Sequence, residues 1–247
     1  LKIKLILALS VFSSLLLIQT LSKAGYCSEW WMLLPVVLGL IVLVWGVVNI
    51  NSQMFVKTEC RFTPRGNEIM LTFDDGPDPV QTPKLLHLLD TYGAKGIFFF
   101  IGKKMEAYPE MVKLVSEKGH AIGSHSYSHG YGFDFLSAEK VKNELLQTEK
   151  IIRRITGKKT TLFRPPYGIT NPNIAKALKS FSYRVLGWNI RSFDTVIQSP
   201  EKLEKRVLKR IRPGSIILLH DTASAAPEVL ERILIFMKEK GFTTRLP

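Results

Sequence analysis

Asp74 and Asp75 place two carboxylates side by side directly after the apolar run Ile69–Phe73. Neighbouring carboxylates repel unless a cation or a guanidinium stands between them. Taken alone, the stretch Asp74-Asp75-Gly76-Pro77-Asp78-Pro79 also reads as a turn, because every residue in it favours one. A second signal is His125 and His129, four residues apart. That spacing is about one helical turn, so both imidazoles can face one point. Two imidazoles and the carboxylate of Asp75 make a three-donor set with a fourth position open, the arrangement of a catalytic zinc site. His87 and His120 are read differently, the first as a surface residue and the second as structural. Three further polar groups stand where apolar runs end: Arg164, Asp194 and the pair His220-Asp221.

The elements that must carry these residues follow from hydrophobic periodicity. Strands are expected at 69–73, 97–101, 121–123, 161–163, 183–188, 215–219 and 242–245. Helices are expected at 82–92, 110–118, 137–156, 173–180, 201–211 and 227–240. Ser137 caps the longest helix and Gly157 stops it. Strands alternating with helices argue for a parallel α/β sheet, either a closed or distorted barrel or an open doubly wound sheet. In either architecture, groups that follow strands gather on one face, at the carboxyl ends, where such folds build their sites.

Composition bounds the rest. The chain has 247 residues, 46% of them hydrophobic, which excludes disorder and leaves material for a large core. Two cysteines, Cys27 and Cys60, cannot staple a scaffold and are read as unpaired thiols. The apolar residues are concentrated in two N-terminal runs, about 3–21 and 30–50, each roughly long enough to cross a 30 Å hydrocarbon layer. The first, with Lys2 and Lys4 before it and Ser22-Lys23-Ala24 after it, fits either a retained helix or a cleaved signal peptide. The second carries no charge from Trp30 to Val48, with two tryptophans at one end as at a membrane interface. Only Lys23 is basic between the runs, whereas Lys57, Arg61 and Arg65 follow the second. The positive-inside rule therefore puts both flanks in the cytoplasm. A secreted polymer as substrate requires the opposite side. A net charge of +13 suits anionic lipid or polymer, and no nucleic-acid recognition motif accompanies it.

Four motifs then occur in order: Thr72-Phe73-Asp74-Asp75-Gly76-Pro77, His125-Ser126-Tyr127-Ser128-His129, Arg164-Pro165-Pro166-Tyr167-Gly168 and Leu218-Leu219-His220-Asp221. Together they resemble the signature motifs of the NodB-type polysaccharide deacetylases, carbohydrate esterase family four, in membrane-attached bacterial form. The resemblance covers residues 67–247 as the catalytic domain and leaves 1–66 as membrane segment and linker. It implies a distorted (β/α) barrel of about seven parallel strands. It also implies a divalent metal, most simply zinc, on Asp75, His125 and His129. Asp74 would be the general base, held by Arg164, and His220 the general acid, oriented by Asp194. The Tyr167 N–H would stabilise the oxyanion, Leu218 would line the acyl pocket, and Pro165 and Pro166 would stiffen the loop.

One motif departs. Where the family shows Asp-x-x-Asp-Trp, this chain has Arg191-Ser192-Phe193-Asp194-Thr195, which keeps the second Asp and changes a groove wall. The resulting expectation is a metal-dependent hydrolase that removes N-acetyl groups from an amino sugar of a cell-envelope polysaccharide. The alternative is a deacylase or deformylase of a lipid-linked sugar at the membrane. A third reading, an inactive carbohydrate-binding protein, is disfavoured because both Asp74 and His220 are present. Oligomeric state is left open.

Overall fold

The computed structural model describes residues 2–197 and 199–247. Among them, the barrel strands are β1 (Glu68–Gly76), β2 (Gly96–Phe100), β3 (Ala121–Ser124), β4 (Leu162–Phe163), β5 (Arg184–Val185), β6 (Ile190–Arg191) and β7 (Ile216–His220). They form one parallel sheet in the order β5-β4-β3-β2-β1-β7-β6, and a short β8 (Thr243–Thr244) pairs with the start of β1. The sheet has to curl. β5 and β6 are its two ends, yet only residues 186–189 join them. Chain of that length reaches at most about 18 Å, whereas seven flat strands span roughly 29 Å. The result is the curled half-barrel that the sequence motifs imply.

Alternation along β1 sorts the core into two layers. Ile69, Leu71 and Phe73 pack outward with residues of the surrounding helices, while Met70 joins Ile97, Phe99, Leu162, Leu186 and Ile216 inside the curl. The outer layer is built by α3 (Gln81–Thr91), α4 (Gly102–Ala107), α5 (Pro109–Glu117), α6 (Ala138–Thr156), α7 (Pro172–Leu178), α8 (Pro200–Leu208) and α9 (Ala226–Lys240). The capping residues act as expected. The Ser137 hydroxyl accepts the Lys140 N–H, and Gly157 takes the left-handed backbone, φ 69°, that ends α6.

Three features differ from the expectation, the first being α4, a helix where none was expected. The single strand expected at 183–188 is split, because β5 pairs with β4 while β6 pairs with β7 on the opposite edge. Residues 50–62, grouped by sequence with the membrane segment, pack on the barrel. Ile50, Met54, Val56, Thr58 and Cys60 are buried. Glu59 bridges to Leu186 and Arg61 to Ser215, so this strap fills the gap between the two edges of the sheet. Gly187 admits the strap, since a Cβ there would lie 2.5 Å from Cys60 Sγ.

Ahead of the strap, α1 (Lys2–Lys23) and α2 (Leu33–Val48) form a hairpin in contact through Val11 and Gly39. Both are long and apolar enough to cross a membrane, over Leu5–Lys23 and Glu29–Val48. Their large side chains point outward almost all round. Cys27 and Cys60 are both free thiols.

Candidate active site

A regular strand would send Asp74 and Asp75 to opposite faces. Here the β1 register slips between Asp74 and Gly76, and Asp75 takes a left-handed backbone at φ 71°. The bulge re-aims the second carboxylate so that both serve one site. Asp74 shares the inward face with Thr72, and the fully buried Arg164 reaches both: its Nη1 donates to Asp74 Oδ1 at 2.7 Å and to Thr72 Oγ1 at 2.8 Å. Its Nε donates to the Leu186 carbonyl and its Nη2 to the Gly187 carbonyl. Burial works against the Arg164 charge and lowers its pKa, and the ion pair with Asp74 opposes that shift. A buried guanidinium is tolerated when its donors are occupied in this way, here four of the five N–H groups.

His125 and His129 do not lie on a helix. They sit on the loop after β3, where Ser126 (φ 64°) and His129 (φ 48°) both take left-handed backbone. The loop nevertheless brings the rings together, with centroids 4.8 Å apart. His125 Nε2 is 3.6 Å and His129 Nε2 3.3 Å from the same oxygen, Asp75 Oδ1. The three donor atoms lie within 4.8 Å of one another. His125 Nδ1 is 2.8 Å from the Arg164 carbonyl, the outer bond that turns Nε2 and its lone pair inward. Burial, with the His125 charge, pushes His129 down to about 4, so its ring is neutral. Two imidazoles and a carboxylate with one coordination side open fit a divalent metal.

On the other side of β1, Asp74 is the register partner of His220 on β7. His220 Nδ1 is 2.7 Å from Asp194 Oδ1, and the His220 N–H donates to Asp194 Oδ2 at 2.8 Å. Ser192 Oγ donates to Asp194 Oδ1 and fixes the acid in turn. Burial disfavours the imidazolium, but the Asp194 bond and the charges of Asp194, Asp74 and Asp75 outweigh it, so the His220 pKa is raised.

These groups open into one cavity of about 200 Å³ lined by Asp74, Asp75, His125, His129, Tyr167, Leu218 and His220, with Gly168, Trp188, Arg191 and Thr195 completing its wall. Tyr167 has a left-handed backbone (φ 58°) after the buried Pro166, and its ring packs on His129 at 4.7 Å. All ten residues singled out by sequence converge here: most line the cavity, while Arg164, Asp194 and Pro166 support it from behind. His120 is structural, as expected: its Nδ1 accepts the Gly96 N–H, and burial pushes it down to about 4. His87 is exposed. Sequence reading missed Trp188 and Lys104, whose Nζ donates to the Asp75 carbonyl. Trp188 had a signal, an aromatic at the end of an expected strand. Lys104 had none.

The polysaccharide deacetylase family model matches residues 62–186, half of the chain. The peptidoglycan-N-acetylmuramic acid deacetylase PdaA of Bacillus subtilis is 32% identical over 71% of this chain and 68% of its own length. The chain belongs to the polysaccharide deacetylase family. Such deacetylases are hydrolases of amide bonds. A peptidoglycan-N-acetylglucosamine deacetylase of Bacillus cereus is 34% identical over 70% of this chain; the match spans 64% of that protein's length. Among solved structures, the peptidoglycan deacetylase PdaC of Bacillus subtilis superposes with a TM-score of 0.69 at 29% identity, over 74% of this chain and 89% of that one. The curled parallel sheet of this chain is therefore that of its family.

Proposed function

We propose that this chain hydrolyses the N-acetyl amide of an amino sugar belonging to the cell envelope, with peptidoglycan-type sugars as the substrate class its relatives suggest. The observation that carries the reading is the division of labour around β1. The Arg164-bound Asp74 sits between a three-donor cluster on the β3 side and the His220–Asp194 pair on the β7 side. Asp75, His125 and His129 would hold a divalent metal, most simply zinc, which when bound would supply Lewis-acid polarisation of the amide carbonyl. Asp74 accepts the proton of the attacking water, and Arg164 fixes the carboxylate for that transfer. The Tyr167 N–H stabilises the oxyanion that the attack creates. His220, held protonated by Asp194, gives its proton to the departing amine. Leu218 bounds the space for the acyl methyl, and Pro165 and Pro166 stiffen the loop that presents Tyr167. The apolar helices α1 and α2 hold the enzyme at the bacterial cell membrane.

The two adjacent carboxylates provide the test, because the reading gives them different jobs. Asp74→Asn keeps the metal, measured by elemental analysis of the purified full chain. It lowers acetate release by about 10²–10⁴-fold, the usual worth of a general base. Asp75→Asn loses metal. Near wild-type turnover in Asp74→Asn with normal metal content rejects the mechanism.

A further inference from the structure

We infer that the substrate is an N-acetylated amino sugar carried on a lipid, taken at the bilayer surface by an active-site face turned toward the membrane. The inference rests on the hydrolase reading above and on α2 lying in the membrane. No linker separates the apolar helix from the barrel. The carbonyl of Val47, in its last turn, accepts the Thr170 N–H at 3.0 Å. Asn51 Nδ2, three residues past the helix, donates to the Trp188 carbonyl at 3.4 Å. Ile50 packs where Gly187 leaves room. Thr170 and Trp188 follow the carboxyl ends of β4 and β5, and Trp188 lines the catalytic cavity. Thr170 is three residues from Tyr167, at most about 11 Å of chain. The membrane helix is thus hydrogen-bonded to the rim of the active site.

The distribution of exposed apolar side chains on the barrel points the same way. Val80 (58% exposed), Tyr131 (94%), Phe135 (89%) and Val196 (72%) are its most exposed large apolar residues among those described. Each lies on a loop that follows a strand, after β1, β3, β3 and β6, so all are on the face that α2 joins. Among the described residues of the barrel outside that face, only Leu146 and Ile235 are comparable, and both are less exposed. Single exposed apolar residues need no explanation. A fringe of them around the point where an uncharged helix leaves the barrel matches the apolar and aromatic belt that proteins place at a membrane interface. Lys103 stands exposed on the same face after β2, as attraction to anionic lipid requires. A long polymer would have to thread between this fringe and the bilayer. A sugar on a lipid arrives there by diffusing in the membrane.

The test uses the full chain in nanodiscs of phosphatidylethanolamine and phosphatidylglycerol. In a Cys27→Ser background, with the buried Cys60 left in place, nitroxide labels are attached at Phe135→Cys, Val196→Cys and, on the far face, Lys158→Cys. The first two labels should collide with oxygen and be shielded from a water-soluble nickel chelate, and the third should show the reverse. Equal water exposure at all three overturns the orientation. The same nanodiscs receive hexadecyl N-acetylglucosaminide or soluble chitotetraose, with acetate release as readout. Confinement to the membrane should raise kcat/KM for the tailed sugar by about 10²-fold. Equal or faster hydrolysis of chitotetraose overturns the lipid-carried substrate while leaving the hydrolase reading intact. Absence of acetate from every probe overturns the hydrolase reading and this inference with it.

Discussion

At the scale of single residues, Asp194 decides how His220 titrates. Burial alone would lower the imidazole pKa, and the carboxylate reverses the sign. A general acid works while protonated, so the rate falls as pH rises through its pKa. Asp194→Asn keeps an acceptor for the ring but removes the charge, and the alkaline limb of the kcat profile should move to lower pH with metal content unchanged. An unmoved limb would show that His220 is not the acid. Its neighbour Asp221 makes a separate prediction about stability. That carboxyl is fully buried, held by the Thr82 hydroxyl, and burial raises its pKa from 3.8 to about 7. The folded state therefore binds this proton more tightly than the unfolded chain. The stabilisation it gives is complete below about pH 4 and is lost as pH rises toward 7. Asp221→Asn does not titrate, so its advantage in Tm over the native chain should grow across that window. A tenfold bias in protonation is about 1.4 kcal/mol, so the gain at neutral pH and above should be roughly 2–4 kcal/mol. A constant Tm difference from pH 4 to pH 8 would contradict the burial argument. Site residues such as Asp74, His125 and His220 were legible in the sequence because polar groups at strand ends have few structural uses. The bulge at Asp75 and the left-handed turns at Ser126, His129 and Tyr167 were not. Backbone strain of this kind depends on the surrounding fold to hold it, and no local residue preference announces it.

At the scale of elements, long periodic stretches such as α6 and α9 were legible, since their apolar faces repeat over several turns. The region from 183 to 191 was not. One apolar run there serves two strands on opposite edges of the sheet, and periodicity carries no record of which edge a strand joins. The strap at 50–62 was hidden for a related reason: it has almost no regular structure, and its role is to fill the seam of the barrel. Its burial makes a prediction about truncation. A domain beginning at residue 67 loses Ile50, Met54, Val56 and Cys60 from the core, the Glu59–Leu186 bridge and the Arg184–Glu59 ion pair. Burying a large aliphatic side chain is worth about 1.5–3 kcal/mol before ordering costs, so the shorter domain should be less stable by several kcal/mol than one beginning at residue 49. Urea unfolding of the two truncated domains checks this. Equal midpoints would mean that the strap only rests on the barrel.

At the scale of the whole molecule, the remaining variable is the side of the membrane on which the barrel lies. With both apolar helices spanning as proposed, their hairpin would put the barrel and the start of α1 on one side and the loop around Cys27 on the other. That loop contains one basic residue, Lys23, whereas Lys57, Arg61 and Arg65 lie within the distance over which basic residues near a span bias orientation. The orientation predicted from that bias is a barrel in the cytoplasm with Cys27 outside. The two thiols report this without any engineered site. Cys27 is half-buried and reachable, its thiol facing the Ile18 carbonyl. Cys60 belongs to the strap and is buried against Thr58 and the Ile50 carbonyl, and burial raises its pKa, which slows alkylation further. In intact cells a membrane-impermeant maleimide should therefore label the chain once, at Cys27, with Cys60 reacting only after denaturation. Labelling of Cys27 only after the membrane is opened would place the barrel outside. The orientation of its active-site face toward the bilayer would stand in either case, because the hydrogen bonds from Val47 and Asn51 to the rim travel with the barrel.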